Sequence, residues 1–455
     1  MAAQITAIII FIGMFFMIVL DKVERHRVTL VSGLLVITVV FGALMRSPSA
    51  VMSTLNLSSM INPTFWYGHS SAMSSGINWA TIIFIAGMMV MVEGLGRAGV
   101  FRWLCLKIAK AVHYHNVPLL VCFAAASGLL SMFIDSITVM LFLAAVTVEL
   151  GRTLEFDPRT MILAEIFCAN LGGSATMCGD PPNIIIGTSL RLTFFDFLLN
   201  TGTICAICFI LTLIYFYFCF RHELRNSEAR RAQVEAYPEP AEAVTENGAF
   251  ISSLAVFAIT VALLITHAQT TLSVALIGVI SAALTLTMSE IFSGPGAVAD
   301  MIRRLDYKTL AFFTGLFIVV GGLEQTGVLK AAAGLIGSIS GGNPYLMIAI
   351  IIWFASIASA FIDNIPFAAT MVPVIKGISA MQGADLSVLA WTLSLGVDLG
   401  GNGTPIGASA NVVGTSIAAR SGHRISWGRY CRYCAPAALL VTLVSMLCLF
   451  AKLSL

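Results

Sequence analysis

Two aspartates stand in the middle of long apolar stretches of this 455-residue chain. Asp135 lies in the segment FIDS and Asp363 in the segment FIDN. A carboxylate at membrane depth is costly, so such a residue is a candidate for ion or proton handling. Protons and cations compete for a carboxyl group, which gives a physical basis for exchanging H⁺ against a cation. The alternative is that each aspartate only caps the helix that follows it.

Two further polar interruptions are rich in glycine and proline. Residues 172–183 read GGSATMCGDPPN, and residues 400–411 read GGNGTPIGASAN. Glycine and proline at this density unwind a helix and free its backbone polar groups, which are tolerated at membrane depth only inside protein or beside a water-filled cavity. Unwound carbonyl groups suit a cation, and the start of a half-helix suits an anion. The predicted substrate- or ion-binding residues are Asp135, Ser136, Ser174, Thr176, Asp180, Asn183, Asp363, Asn364, Asn402, Thr404, Ser409 and Asn411.

Other candidate motifs are weaker. The pairs Cys205-x-x-Cys208 and Cys431-x-x-Cys434 have the spacing of metal ligands, but they lie in or beside apolar helices and favour ordinary packing. No metal site and no catalytic residue are predicted, and no Ser/His/Asp or HExxH pattern suggests an enzyme. Asp398, two residues before a glycine pair, is a further functional candidate of the same kind as Asp180. Glu165 falls within an apolar run and Glu93 near the end of one, and for both a structural and a functional role stay open.

The composition identifies the environment of these residues. The chain is 58% apolar and only 11% charged, against about 25% charged residues in a typical soluble domain. This number of charges is too small to cover the surface of a soluble protein. Most of the surface must therefore face lipid. The net charge of +2 offers no basic field for a nucleic acid. These values predict a multi-pass protein of the cytoplasmic membrane.

The apolar runs predict about ten membrane-spanning helices and two re-entrant hairpins. The hairpins are expected at 117–150 and 344–380, because a short polar turn interrupts each of these runs. Lys and Arg residues concentrate in alternate loops, and the bias of basic residues toward the cytoplasm places both chain termini outside. The predicted spans cover 5–20, 28–45, 79–96, 160–187, 199–220, 249–267, 271–289, 309–325, 388–414 and 434–451.

An internal repeat appears when the sequence is shifted by 228 residues. Matching pairs include Asp135 with Asp363, Thr176 with Thr404, Gly179 with Gly407 and Asn183 with Asn411. Corresponding elements are five predicted spans apart, so the second copy must be upside down, as in many secondary transporters. We therefore predict an all-α integral membrane protein with inverted repeats in residues 1–220 and 249–455, joined by a cytoplasmic linker at 221–248. Residues 160–187 and 388–414 would form the broken helices.

The segments FIDSITVML, NLGGSATMCGDPPNIIIG, FIDNIPFAATMVPV and DLGGNGTPIGASANVV carry a family resemblance. Over residues 78 to 433 the chain resembles the ArsB/NhaD group of the ion transporter superfamily, and within it the branch of the melanosomal P protein and its bacterial relatives. The resemblance implies a homodimer whose rigid scaffold holds a mobile, elevator-like transport domain. It also implies substrates such as arsenite or antimonite, Na⁺ exchanged for H⁺, or organic and inorganic anions.

The sequence thus predicts a secondary active transporter, such as an antiporter, coupled to H⁺ or Na⁺. Its partners would be a small inorganic or organic ion and membrane lipid, without a nucleic acid or a cofactor other than the coupling ion. A passive anion channel on the same scaffold is the alternative.

Overall fold

The regular elements are helices, and no β-strand occurs in the residues that the computed structural model describes, which are 1–20, 22–67, 76–230 and 237–454. The first-half helices are α1 (Ala2–Leu20), α2 (Arg25–Leu35), α3 (Pro48–Leu55), α4 (Trp79–Arg97), α5 (Val100–Ala111), α6 (Asn116–Ser131), α7 (Ser136–Thr153), α8 (Pro158–Gly173), α9 (Pro181–Leu190) and α10 (Thr203–Arg230). The second-half helices are α11 (Asn247–Thr270), α12 (Val274–Ser293), α13 (Ala297–Arg304), α14 (Tyr307–Gln325), α15 (Val328–Ser340), α16 (Pro344–Phe361), α17 (Asn364–Gln382), α18 (Leu386–Gly401), α19 (Ser409–Arg420) and α20 (Trp427–Ser454).

Short polar side chains mark where many of these helices begin. Asn78 precedes α4 and accepts a hydrogen bond from the backbone N–H of Thr81 at 3.1 Å. Asp306, at the equivalent position before α14, accepts one from the N–H of Thr309, also at 3.1 Å. Such caps satisfy backbone donors that the first helical turn leaves unpaired.

The predicted membrane class is confirmed. Nine helices of the described chain are long and apolar enough to cross a membrane, including α2 with its continuation to Met45. Seven of these nine described helices correspond to predicted spans, whereas α7 and α16 are arms of the predicted hairpins. The other three predicted spans are the first helix and the two broken helices, whose helical segments are shorter. Re-entry of the two hairpins stays a prediction.

Equivalent hydrogen bonds repeat at the offset found in the sequence. Thr176 donates to the carbonyl oxygen of Met132, and Thr404 donates to that of Ala360. Each bond holds the turn of a hairpin against the interruption in a broken helix. We call α6 and α7 the first hairpin, α16 and α17 the second hairpin, residues 174–180 the first break and residues 402–408 the second break.

The two copies run in opposite directions. Helices α10 and α20 are equivalent elements of the two repeats, and they pack side by side. Arg429, near the start of α20, lies 3.4 Å from Glu223, toward the end of α10. At the other end of the pair, Lys452 of α20 contacts Asn200, which precedes α10. Equivalent helices are therefore antiparallel, which confirms the predicted inversion.

The structural repeat also includes helices that the sequence offset of 228 residues does not pair. Gly315 of α14 meets the backbone of α2 at Thr29, and its counterpart Gly87 of α4 meets the backbone of α12 at Gly278. A Cβ atom at Gly87 would lie 2.2 Å from the carbonyl oxygen of Gly278, so only glycine permits this approach. Helices α2 and α12 are thus equivalent, although the insertion after α2 changes their offset.

The hairpins and broken helices form a second part of the interface between the two copies. The second arm of each hairpin packs against the other repeat, α7 against α19 and α17 against α9. Both breaks therefore lie where the repeats meet. Helix α10 continues to Arg230, inside the predicted linker, and residues 231–236 of that linker lie outside the described residues.

Candidate functional site

One asparagine side chain spans each break. The amide of Asn183 donates to the carbonyl oxygens of Gly173 and Thr176, both at 3.1 Å. Asn411 makes the equivalent bonds to Gly401 and Thr404, both at 2.8 Å. These bonds replace the helical partners that the two carbonyl groups have lost, so the unwound segments can be buried.

The two breaks are also connected across the repeats. The amide of Asn170, in α8, donates to the side-chain oxygens of Asn402 at 2.8 Å and Asn411 at 2.7 Å. On the opposite side, the hydroxyl of Ser394, in α18, donates to the side-chain oxygen of Asn183 at 2.6 Å. All of these residues are buried. A network of this kind fixes the position of one break relative to the other.

Asp180 lies at the centre of the site. Its carboxylate accepts hydrogen bonds from Ser136 of the first hairpin at 2.6 Å and from Asn364 of the second hairpin at 2.9 Å. Asp135 and Asp363 both lie close enough to interact with it electrostatically. One buried carboxylate of the first break is thus in contact with both hairpin turns.

Asp363 has a cationic partner from the N-terminal part of the chain. A guanidinium nitrogen of Arg25 lies 2.7 Å from its carboxylate, and Ser409 donates to the same oxygen at 2.8 Å. The carboxylate also accepts a bond from the backbone N–H of Ile365 at 3.3 Å. Capping alone therefore does not account for Asp363.

Asp135 differs from its repeat counterpart. Its carboxylate accepts two bonds from Thr138, one from the backbone N–H at 2.9 Å and one from the hydroxyl at 2.7 Å. These are helix-capping bonds, and no ion pair to Asp135 occurs in the described part of the chain. Each hairpin turn thus has an aspartate at the equivalent position, but the two aspartates have different surroundings.

Asp398 lies at the same repeat position as Asn170, in α18. Its side chain is fully buried, and neither carboxylate oxygen has a hydrogen-bond partner of acceptable geometry in the part of the molecule described. Asp180 lies close enough to interact with it electrostatically, and the side chains of Ser174 and Asn364 lie near it without hydrogen bonds of acceptable geometry. The hydroxyl of Ser174, however, donates to the carbonyl oxygen of Asn170 at 3.0 Å. A buried carboxyl group without donors requires a proton or a cation.

The predicted residues thus come together at the repeat interface. Those that carry charge or bridge the repeats are Asp135, Asp180, Asn183, Asp363, Asn364, Asn402 and Asn411. Ser136 and Ser409 donate to carboxylates, whereas Ser174, Thr176 and Thr404 bond to backbone carbonyl groups. The predicted set omitted Arg25, Asn170 and Ser394. The repeat offset pairs Asn170 with Asp398 and could have identified it, whereas nothing in the sequence pairs Arg25 with Asp363.

The side chains of the site offer carboxylate, hydroxyl and amide groups as ligands. No group of three or more His, Cys, Asp or Glu side chains close enough to hold a metal ion occurs in the described ranges. The ten cysteines are free, and the thiol of Cys208 lies 3.5 Å from the hydroxyl of Ser445. Carboxylates, carbonyl groups and amide oxygens can hold a proton or a hard cation.

Comparison with known proteins identifies the family. Residues 15–396 match the family described as CitMHS, citrate transporter. The chain belongs to the citrate transporter (CitMHS) family. It is 31% identical to an uncharacterized transporter of Mycobacterium tuberculosis, over 94% of each chain. It is also 26% identical to the P protein of Mus musculus, over 81% of this chain and 53% of that protein. This CitMHS member is therefore a multi-pass membrane transporter.

Solved transporter structures share the fold. The YdaH transporter of Alcanivorax borkumensis superposes with a TM-score of 0.54 at 15% identity, over 82% of this chain and 84% of that one. MtrF of Neisseria gonorrhoeae, described as illuminating a class of antimetabolite efflux pumps, gives a TM-score of 0.53 at 13% identity, over 81% and 80%. At these identities, the likeness of the CitMHS chain to both concerns the fold alone.

Proposed function

We propose that this protein is a secondary active transporter of the ArsB/NhaD type, in which Asp180 and Asp398 bind the coupling H⁺ or Na⁺. The observation that carries the proposal is the pair of buried carboxyl groups from opposite repeats, one of which has no hydrogen-bond donor. A proton shared between the two, or a cation between them, would relieve their mutual repulsion. Both repeats would then respond to the same bound ion.

Charge in the site favours a cation or a proton over a bare anion. Asp135, Asp180, Asp363 and Asp398 supply four carboxyl groups, and Arg25 pairs with one of them, Asp363. An anionic substrate would have to enter with protons or a cation that compensate its charge. This argues against a passive anion channel on the same scaffold.

The transported substrate is proposed at the level of class. The family is named for citrate, an organic anion, and the resemblance to the ArsB/NhaD group adds arsenite or antimonite efflux and Na⁺/H⁺ exchange. Each of these substrates would be moved together with H⁺ or Na⁺. The coupling ion would either travel in the opposite direction or compensate the substrate's charge. We propose one of these ions as the substrate.

The packing supports elevator-like alternating access in the cytoplasmic membrane. Close glycine contacts join α2 to α14 and α4 to α12, which suits a rigid scaffold. The hairpins and broken helices pack mainly with one another and with α10 and α20, which suits a separate transport domain. Helices α5 and α15 connect the two groups. We propose that the scaffold also forms a homodimer.

The test is uptake into proteoliposomes that carry an imposed H⁺ or Na⁺ gradient. Concentration of citrate, arsenite or ²²Na⁺ against its own gradient would support coupling, and simple equilibration would support a channel instead. Asp398→Asn should abolish gradient-driven accumulation because the asparagine cannot take up a proton. Asp300→Asn, in the exposed helix α13, is the matched control and should accumulate substrate like the unmodified protein.

A further inference from the structure

An open groove lies between α6 and α10, away from the repeat interface. Its volume is about 880 Å³, within the range of small-molecule pockets. One wall is a face of α6 that carries Val117, Pro118, Val121 and Cys122, at spacings of three and four residues. The other wall is α10, which contributes Tyr217. The body of the groove is therefore apolar along membrane-embedded helices.

Basic side chains lie at and beside the end of the groove that is predicted to be cytoplasmic: Arg225 and His115 line it, and Arg221 is one helical turn before Arg225. Tyr217, Arg221 and Arg225 follow one another at intervals of four residues and share one face of α10. The guanidinium of Arg221 lies over the rings of Tyr217 at 5.6 Å and Phe218 at 4.6 Å. Arg225 is exposed and lines the groove together with His115, which precedes α6. Two guanidinium groups thus lie at the level where lipid headgroups are expected.

Acidic residues near this end are engaged elsewhere. Glu223, between the two arginines in sequence, contacts Arg429 of α20 at 3.4 Å. Glu239, in the part of the linker that the structure describes after residue 236, pairs with Lys110 at 2.6 Å. Among the side chains that the structure describes, those that line the mouth of the groove, Arg225 and His115, are basic. Guanidinium groups bind phosphate strongly, often through two parallel hydrogen bonds.

We propose that this groove binds an anionic phospholipid of the inner leaflet. The headgroup phosphate would contact Arg225 and Arg221, and one acyl chain would lie along the apolar face of α6. Basic pockets between membrane helices on the cytoplasmic side are suited to such headgroups, and each basic residue contributes about a fivefold gain in affinity. The lipid would join the first arm of the first hairpin to α10, and this binding is independent of the proposed transport function.

The test counts phosphatidylglycerol molecules retained by the purified protein in native mass spectrometry, with phosphatidylcholine, which is zwitterionic and has no net charge, as the comparison. The unmodified protein should retain phosphatidylglycerol preferentially, and Arg225→Ala and Arg221→Ala should each weaken this retention about fivefold. Arg225→Lys should retain part of it. Arg303→Ala, an exposed cytoplasmic arginine of α13, should behave like the unmodified protein.

A second variant tests the apolar wall, and three results would overturn the proposal. Cys122→Trp fills the groove and should lower phosphatidylglycerol retention without removing a charge. Equal retention in the arginine variants and the unmodified protein would show that the lipid binds elsewhere. Thermal stabilisation by inorganic phosphate alone, or loss of a dimer in Arg225→Ala, would assign the groove to a free anion or a second copy of the chain.

Discussion

The guanidinium of Arg25 and the carboxylate of Asp363 are 2.7 Å apart, although 338 residues separate them in the sequence. The carboxylate is 5% exposed and the guanidinium 29%, so solvent only partly screens the pair. Arg25 is the first residue of α2, and Val274 is the first residue of the equivalent helix α12. No cation therefore stands at the corresponding position for Asp135. The two inverted copies are similar in shape but differ in charge at their hairpin turns.

Removing one partner of this pair should destabilise the protein more than removing both. Arg25→Gln leaves a nearly buried carboxylate unpaired, and we expect a loss of about 1–3 kcal/mol, below the 3–5 kcal/mol of fully buried pairs. Adding Asp363→Asn to the Arg25→Gln variant should restore part of the lost stability. Thermal unfolding in detergent would measure this double-mutant cycle. Additive effects of the two changes would contradict a direct interaction, and the exposed Lys308–Glu24 pair provides a control cycle with no expected coupling.

The repeat could be predicted from sequence because its matches include Asp, Asn, Thr and Gly at one offset. The same argument paired Asn183 with Asn411, and each of them lies in the first turn of the helix that follows its break. The equivalence of α2 and α12 escaped this test, since a longer connection before α4 changes the offset. Their relationship became visible only through the backbone contacts of Gly87 and Gly315.

Long-range partners are the part of the site that the sequence could not supply. Arg25 belongs to a basic loop, and its composition indicates only the cytoplasmic side of the membrane. Its contact with Asp363 depends on how the second hairpin packs near the start of α2. Asn170 is different: the offset of 228 residues pairs it with Asp398, so it could have been predicted from the sequence.

Exchange of Asp398 for asparagine tests the role of the unpartnered carboxyl group. Repeat one already has an asparagine at this position, so Asp398→Asn should fold with little loss of stability. We expect gradient-driven transport to fall by about tenfold or more and to lose its pH dependence. Transport assayed across a pH series checks this. A pH profile like that of the unmodified protein would remove Asp398 from the coupling site.

Two glycines should resist substitution where the hairpins meet the broken helices. A Cβ atom at Gly172 would lie 2.0 Å from the carbonyl oxygen of Gly128, and one at Gly400 would lie 2.2 Å from the Cα of Ser356. Each Gly→Ala change should cost about 1–3 kcal/mol through overpacking. Gly334→Ala is the control, since no atom lies within 4 Å of its added Cβ. That control should gain up to about 1 kcal/mol in thermal unfolding from helix propensity, and equal losses at all three positions would refute the packing argument.

Glu165 is buried away from the repeat interface and should have a structural role. The hydroxyl of Thr147 donates to one carboxylate oxygen at 2.5 Å, and the other oxygen has no partner in the described residues. Leu393 occupies the equivalent position of the second repeat. Glu165→Leu should cost about 1–3 kcal/mol, because it leaves the Thr147 hydroxyl unpaired, and added Thr147→Val should recover much of this. Transport by the double variant should persist, whereas its loss would place Glu165 in the coupling pathway.

Asp157, which precedes α8 at the surface predicted to be cytoplasmic, should make stability depend on pH. Burial alone would raise the pKa of this carboxyl, but hydrogen bonds from the side chain and backbone of Arg159, with the charges of Arg159 and Arg429, outweigh burial and hold the pKa below its usual range. A lowered folded-state pKa means that the stabilisation is complete above the unfolded value of about 3.9 and is lost as pH falls through the folded value. Asparagine also caps helices, so Asp157→Asn isolates the charge.

The measurement is the thermal unfolding midpoint of the unmodified protein and Asp157→Asn between pH 7 and pH 3. The midpoints should differ most at neutral pH and converge in acid, because protonation removes the ionic bonds that the variant already lacks. Asp300→Asn, which removes an exposed carboxylate of α13, controls for the change in net charge and should not reproduce the convergence. A constant difference across the series would mean that the pKa of Asp157 is the same in the folded and unfolded states. The ion pair to Arg159 would then contribute nothing to holding the start of α8 in place.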